Sequence, residues 1–175
     1  MVVTVEGTRP ILVEVQALVT HSSLAVPRRV ANGIDLNRLI LLTAVLSKRI
    51  GLPLHEADVH VNVVGGLRIE ETAADLGTAL AILSSYRDIP LDPHAVAIGE
   101  IGLAGELRAV GQMELRLREA AKLGFGKAIV AQAAGNAPAV PGIELQPARS
   151  VSLAAKIAGV QLPTSSSGQR SGRAH

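Results

Sequence analysis

The sequence predicts a mixed α/β domain, and three observations carry that expectation. The first twenty residues alternate apolar and polar in the two-residue period of strands. Two later stretches, Asp35–Ile50 and Ala73–Ser85, are too long and too continuously apolar to be anything but buried helices. A glycine turn, Gly102-Leu103-Ala104-Gly105, separates two short apolar runs and marks a hairpin. Strands and helices alternate unevenly, which excludes a doubly wound nucleotide-binding sheet. The 175 residues suffice for one domain with a substantial core.

Taken in order, Val2–Glu6 is a strand, and Ile11–Val19 a second with Val13, Val15 and Ala17 on one face and Glu14 and Gln16 on the other. Arg9-Pro10 is expected to break the two as a turn. Ser22–Asn32 is polar and reads as a loop. Asp35 supplies an N-cap for the helix to Ile50, which is apolar on nearly every side and so expected at the centre, and Gly51-Leu52-Pro53 ends it. Val59–Val64 is a strand, Gly65-Gly66 a loop, and Ala73–Ser85 the second buried helix. Ala95–Ile101 and Glu106–Val110 pair around the glycine turn. Met113–Leu123 is an amphipathic helix closed by Gly124, followed by a strand at Lys127–Ala131, a Pro/Gly-rich loop, a strand at Ile143–Gln146 and a helix at Val151–Ala158. From Thr164 the chain is Ser, Gly and Arg with one apolar residue. The domain is therefore placed at 1–163 and a disordered tail at 164–175.

Composition excludes several function classes. There is no cysteine, which removes disulfides, thiolate zinc sites and thiol catalysis. Tyr86 and Phe125 are the only aromatics, too few for a platform that stacks bases. No signal-like start and no apolar run of roughly 18 residues occur, so a cytoplasmic protein without membrane contact is expected. No G-x-x-x-x-G-K-[ST] occurs, and the glycines at 65–66 and 99–105 do not form G-x-G-x-x-G. His21, His55, His60, His94 and His175 form no H-E-x-x-H, and no metal site is expected.

Charge is unevenly laid out. Arg28, Arg29, Arg38, Lys48 and Arg49 face one acid, Asp35, between residues 28 and 51. Nine acids face two bases over 52–106, and five bases face two acids over 107–127. Arg supplies 13 of 17 cations, the residue suited to two-pronged phosphate contacts. These blocks make a nucleic-acid surface only if they meet in space. Otherwise they form an ordinary mixed surface, with Lys48 and Arg49 complementing a helix dipole and Arg116 and Arg118 pairing with Glu114 and Glu119.

Four stretches carry a family resemblance: Gly7–Val19, Pro27–Arg38, Val61–Gly66 with Glu71–Leu76, and Gly99–Arg108 running into Glu119–Phe125. In this order they resemble the C-terminal, Lon-protease-like domain of the bacterial RadA (Sms) family, over about Val2 to Leu162. The resemblance implies the ribosomal-protein-S5-domain-2-like fold shared with Lon proteases, which use a Ser activated by a Lys. The positions matching that pair hold Ala74 and Glu114, with Arg116 next on the same face. Arg is no base at neutral pH, and Ser84 and Ser85 lie about three turns away. A residual Ser/Lys hydrolase is thus a minor alternative. The resemblance implies a non-catalytic scaffold within a hexameric recombination and branch-migration helicase. Its zinc finger and RecA-like ATPase, using Zn, ATP and Mg, are absent from this chain, and no cofactor is expected here. The implied partners are single-stranded or branched DNA bound without sequence preference, further copies of the chain in a ring, and RecA. A nucleoid-associated cytoplasmic location is implied. Arg28, Arg29, Arg38, Lys48, Arg49, Arg108 and Arg116 are the expected DNA contacts. A pure hexamerisation module without DNA contact is the alternative.

Overall fold

In a computed structural model, residues 1–132 and 138–162 are described. The expected tail, 164–175, and part of the loop after Ala131 lie outside the described residues. The described residues form ten strands, in two three-stranded sheets and two short ribbons, and four α-helices. This is the mixed α/β architecture expected. No helix among the described residues is long and apolar enough to cross a membrane.

β1 (Val2–Glu6) and β2 (Arg9–Val13) form an antiparallel ribbon with Val2 opposite Val13 and Val5 opposite Pro10. The turn is Gly7-Thr8, not Arg9-Pro10. Gly7 takes the positive φ of 60° the reversal requires, while the edge of a two-stranded ribbon tolerates a proline without N–H. The single strand expected over Ile11–Val19 is two, broken at Glu14. β2 pairs with β1, whereas β3 (Val15–His21) pairs antiparallel with β5 (Ala57–Val63). Alternation continues through the break because the side-chain period survives the change of partner.

The expected loop at 22–32 ends in a strand. β4 (Arg29–Asn32) runs parallel to β5, giving the order β3-β5-β4. Two of its four residues are polar, and the alternation is too short to register. Gly33 follows at φ 82°, where an added Cβ would stand 2.5 Å from Val63 Cβ, so only glycine fits.

α1 (Leu36–Val45) starts at Asp35, whose side chain accepts from the Arg38 amide at 2.9 Å. It runs into a π-helical turn, Leu46–Ile50, stopped by Gly51 at φ 80°. Leu39, Leu42, Val45 and Leu46 are buried, but Leu36 and Ile40 are 45% and 47% exposed. The helix is therefore not buried on all sides as its composition suggested. It covers β4 and leaves an apolar stripe facing out. α2 (Asp75–Arg87), entered through a 3₁₀ turn at Thr72–Ala74, is the central helix and packs on both β3 and β6 (Ala95–Ile98).

Gly99 interrupts the strand expected over Ala95–Ile101. β6 joins β9 (Lys127–Ala131) and β10 (Glu144–Ala148) in a parallel sheet of order β10-β9-β6, whereas β7 (Glu100–Ile101) pairs with β8 (Leu107–Arg108) across the glycine turn. α3 (Met113–Lys122) packs on the β1–β2 ribbon, and α4 (Val151–Ile157), capped by Ser150, packs on β10 and α2. The main core joins α1, α2 and α4 to the inner faces of both sheets and is built almost wholly of Leu, Ile, Val and Ala.

Candidate nucleic-acid interface

Ala74 lies at the end of the 3₁₀ turn leading into α2 and is buried, a methyl group where a nucleophile would stand. Glu114, on the first turn of α3, is exposed and accepts from Arg118 at 2.6 and 2.9 Å. Neither presents a hydroxyl or an amine. Ser84 Oγ donates to Ile89 O at 2.7 Å, and Ser85 Oγ accepts from the Val19 amide at 2.9 Å. Beside Ala74 is a cleft of about 270 Å³ lined by Ile34, Arg38, Ile69, Thr72 and Asp75 among others. Its polar walls are already paired.

Asp75 is 3% exposed. Its carboxylate accepts from Arg38 Nε and Nη2 and from the Ile101 amide, while Arg38 Nη2 also donates to Ile101 O at 3.1 Å. Burial pushes the Asp75 pKa up against these bonds, and the nearby Glu100 adds to the rise. The bond to Asp75 raises that of Arg38, which stays charged. Arg38 thus fastens α1 to the start of α2 and to β7, and its fork is committed to protein.

Arg116 is likewise committed. It is 3% exposed, and its guanidinium donates to Gly111 O at 3.0 Å, Val3 O at 2.7 Å and both Glu71 oxygens at 2.6 Å. Burial opposes ionisation of Glu71, but the bonds from Arg116, Thr4 and the Val5 amide outweigh it and lower its pKa. Of the seven expected contacts, Arg116 is the one the fold seals away from solvent. Its helix spacing put it on the same face as Glu114, but the turn it occupies faces the ribbon.

Arg29 is half-buried. Its guanidinium donates to the carbonyls of Arg28, Leu54 and Ala57, and burial lowers its pKa. Arg28 is exposed, held by its amide on the Asp58 carboxylate at 2.7 Å. Arg28 and Arg29 therefore differ in kind: one side chain faces solvent, and the other braces the start of β4.

The two basic blocks meet at the β7–β8 hairpin. Arg49, from the end of the π turn, places its Nε 3.4 Å from Leu103 O, and its Cβ and Cγ lie against Gly105. Arg108, on β8, donates to Glu106 at 2.7 Å and approaches Glu100 at 3.6 Å. Arg149 joins them although it lies in neither block. Its carbonyl accepts from the Leu107 amide at 3.0 Å, and Ser150 bridges Glu106. Sequence reasoning missed Arg149 because only this long-range pairing brings it to the hairpin. Lys48 precedes Arg49 on the same turn and is exposed. Among the described residues, no carboxylate oxygen lies within 4 Å of the charged side-chain nitrogens of Arg28, Lys48, Arg49 or Arg149. The hairpin thus carries Arg108, is braced by Arg49 and pairs with the backbone of Arg149, while Lys48 is next to Arg49 in the chain; the oxygens of its two acids, Glu100 and Glu106, are taken up by Thr72, Arg108 and the Ala104 amide.

A family model described as subunit ChlI of Mg-chelatase matches residues 38–134. The chain is 55% identical over 128 residues to the DNA repair protein RadA of Synechocystis sp., covering 73% of this chain and 25% of that protein. It is 57% identical over 125 residues to RadA of Escherichia coli, covering 71% and 27%. Against RadA of Bacillus subtilis it is 52% identical over 127 residues, covering 73% and 28%. The chain spans roughly a quarter of the length of the curated relatives it matches. The chain belongs to the family that the ChlI model describes, and its relatives at 52–57% identity are RadA proteins.

Proposed function

We propose that this chain is a non-catalytic scaffold and DNA-contact domain of a RadA-type DNA repair protein, with the S5-domain-2-like, Lon-like fold. The observation that carries the DNA contact is the hairpin that bears Arg108, is braced by Arg49 and pairs with the backbone of Arg149, with exposed Lys48 next to Arg49 in the chain. The repair role comes from the relatives, which are named DNA repair protein RadA. Exposed cations on a relief with no aromatic platform neutralise phosphates and read no bases, so binding is independent of sequence. The chemistry of Ala74 and Glu114 supports the absence of peptide hydrolysis: a methyl group cannot attack, and a carboxylate engaged by Arg118 does not replace an amine base. The ATPase with its ATP, Mg and Zn, the branch-migration activity and any contact with RecA belong on this reading to the remainder of such a protein.

The test is fluorescence anisotropy with labelled oligonucleotides of unrelated sequence, as single strand, duplex and fork, at several salt concentrations. Affinity equal across sequences and falling steeply with salt supports the reading. Binding that is absent at low salt, or insensitive to salt, contradicts it.

A ring scaffold without DNA contact is the second reading. Leu18 and Val30 on the uncovered sheet face are 58% and 43% exposed, and the Leu36/Ile40 stripe of α1 is also bare. Apolar faces of this kind are typical of surfaces that join copies head to tail, a contact that closes into a ring or extends as a filament.

A further inference from the structure

Leu103 stands at the tip of the β7–β8 hairpin, 70% exposed, with the Arg49 guanidinium against its carbonyl. A loop tip in water is ordinarily polar, and most polar groups of this turn hold it in place. The Gly102 amide donates to Glu106 O at 2.9 Å, the Gly105 amide to Gly102 O at 2.9 Å, and the Ala104 amide to the Glu106 carboxylate at 3.0 Å. From outside, the Val151 amide donates to Gly105 O at 2.9 Å, the Leu107 amide to Arg149 O at 3.0 Å, and Arg49 braces Leu103 O itself. Gly105 is at φ 80° with Arg49 Cγ 3.2 Å from where a Cβ would be, so the tip is seated against the helix end. The result is one apolar side chain on a stiff mount, with Arg49 against the turn and Arg108 on the strand that leaves it.

We infer that Leu103 is a wedge that inserts against the bases of unpaired or distorted DNA while Lys48, Arg49, Arg108 and Arg149 hold the flanking phosphates. Apolar wedges enter at base steps that are already weakly stacked, because less unstacking energy is lost there, and they need neighbouring cations to hold the backbone. A rigid mount matters because a mobile tip would surrender the gain as ordering entropy. Charge selects the occupant: an apolar protein pocket would not need Arg49 and Arg108 beside it, whereas a polyanion with apolar base faces matches both features. This inference rests on the DNA-contact reading above and adds to it a preference for DNA structure.

The experiment uses the full 175-residue chain and duplexes of one sequence, fully paired or carrying a 2-aminopurine in a single-base bulge. Wild type should bind the bulged duplex more tightly than the paired one and raise 2-aminopurine fluorescence as the base unstacks. Leu103→Ala should abolish the rise and cost on the order of fivefold in affinity for the bulge. It should leave paired-duplex affinity and the salt slope unchanged, since no phosphate contact is removed. Leu103→Met, which keeps an apolar tip, should restore the preference. Loss of the bulge preference in Lys48→Ala/Arg49→Ala but not in Leu103→Ala overturns the wedge and leaves the DNA reading standing. A changed sedimentation coefficient in Leu103→Ala with unaltered DNA binding overturns it in favour of a pocket on a second copy. No DNA binding by wild type overturns both.

Discussion

Two arginines on the same helix, Arg116 and Arg118, show how burial decides what a charge does. Arg116 and Glu71 are joined by two short bonds beneath the β1–β2 ribbon, so removing one leaves the other partly buried without its partner. Arg116→Ala should lower unfolding free energy by about 3 kcal/mol in denaturant titration. Arg118→Ala removes only an exposed pair with Glu114 four residues away and should cost below about 1 kcal/mol. The same pair sets an acid response. The folded-state pKa of Glu71 lies below its ordinary 4.5. Its contribution is therefore fully present above 4.5 and is lost as pH falls through the lowered value. Glu71→Gln should flatten the fall in stability below pH 4.5, and an unchanged acid limb contradicts that assignment. At Arg28 and Arg29 the sequence shows two equal cations, and only the fold separates the exposed one from the one bonded to three carbonyls.

Elements were legible where one physical signal dominated. Asp35 as a cap, Gly51 as a stop and Lys127–Ala131 as a strand follow from local chemistry and survive unchanged. Boundaries failed where a strand changes partner without changing its alternation, at Glu14 and at Gly99, because pairing is a long-range property. β4 was hidden for the same reason: its pairing with β5 is supplied from thirty residues away. Gly33 links β4 to α1 where backbone φ is positive and Val63 fills the space of a side chain. Gly33→Ala should cost about 2 kcal/mol or more in thermal or chemical unfolding, and a neutral substitution would show that this junction is looser than the fold implies. Of the site, the two basic blocks were visible as clusters. Their meeting point and the membership of Arg149 were not, since both depend on the hairpin docking against the start of α4.

In the whole molecule, chemistry is separate from assembly and DNA contact. Incubated with ATP or with casein, the chain should give no turnover above a protein-free control, and peptide cleavage abolished by mutating a single Ser would contradict the reading of Ala74 and Glu114. In sedimentation velocity, bare Leu18, Val30, Leu36 and Ile40 should drive a concentration-dependent association toward a six-membered ring. A strict monomer at high protein concentration would count against the scaffold role. The central claim is that the cations gathered at the hairpin bind DNA. It is tested most directly by the slope of log affinity against log salt, measured on chains ending at Leu162 so that Arg170 and Arg173 cannot contribute. Each phosphate contact adds about 0.9 to that slope on duplex DNA, so replacing Lys48, Arg49, Arg108 and Arg149 with Ala should flatten it by about three to four units. Arg28→Ala should flatten it by about one, and Arg29→Ala, a bracing residue, by less. A slope unchanged by the fourfold replacement would contradict the account.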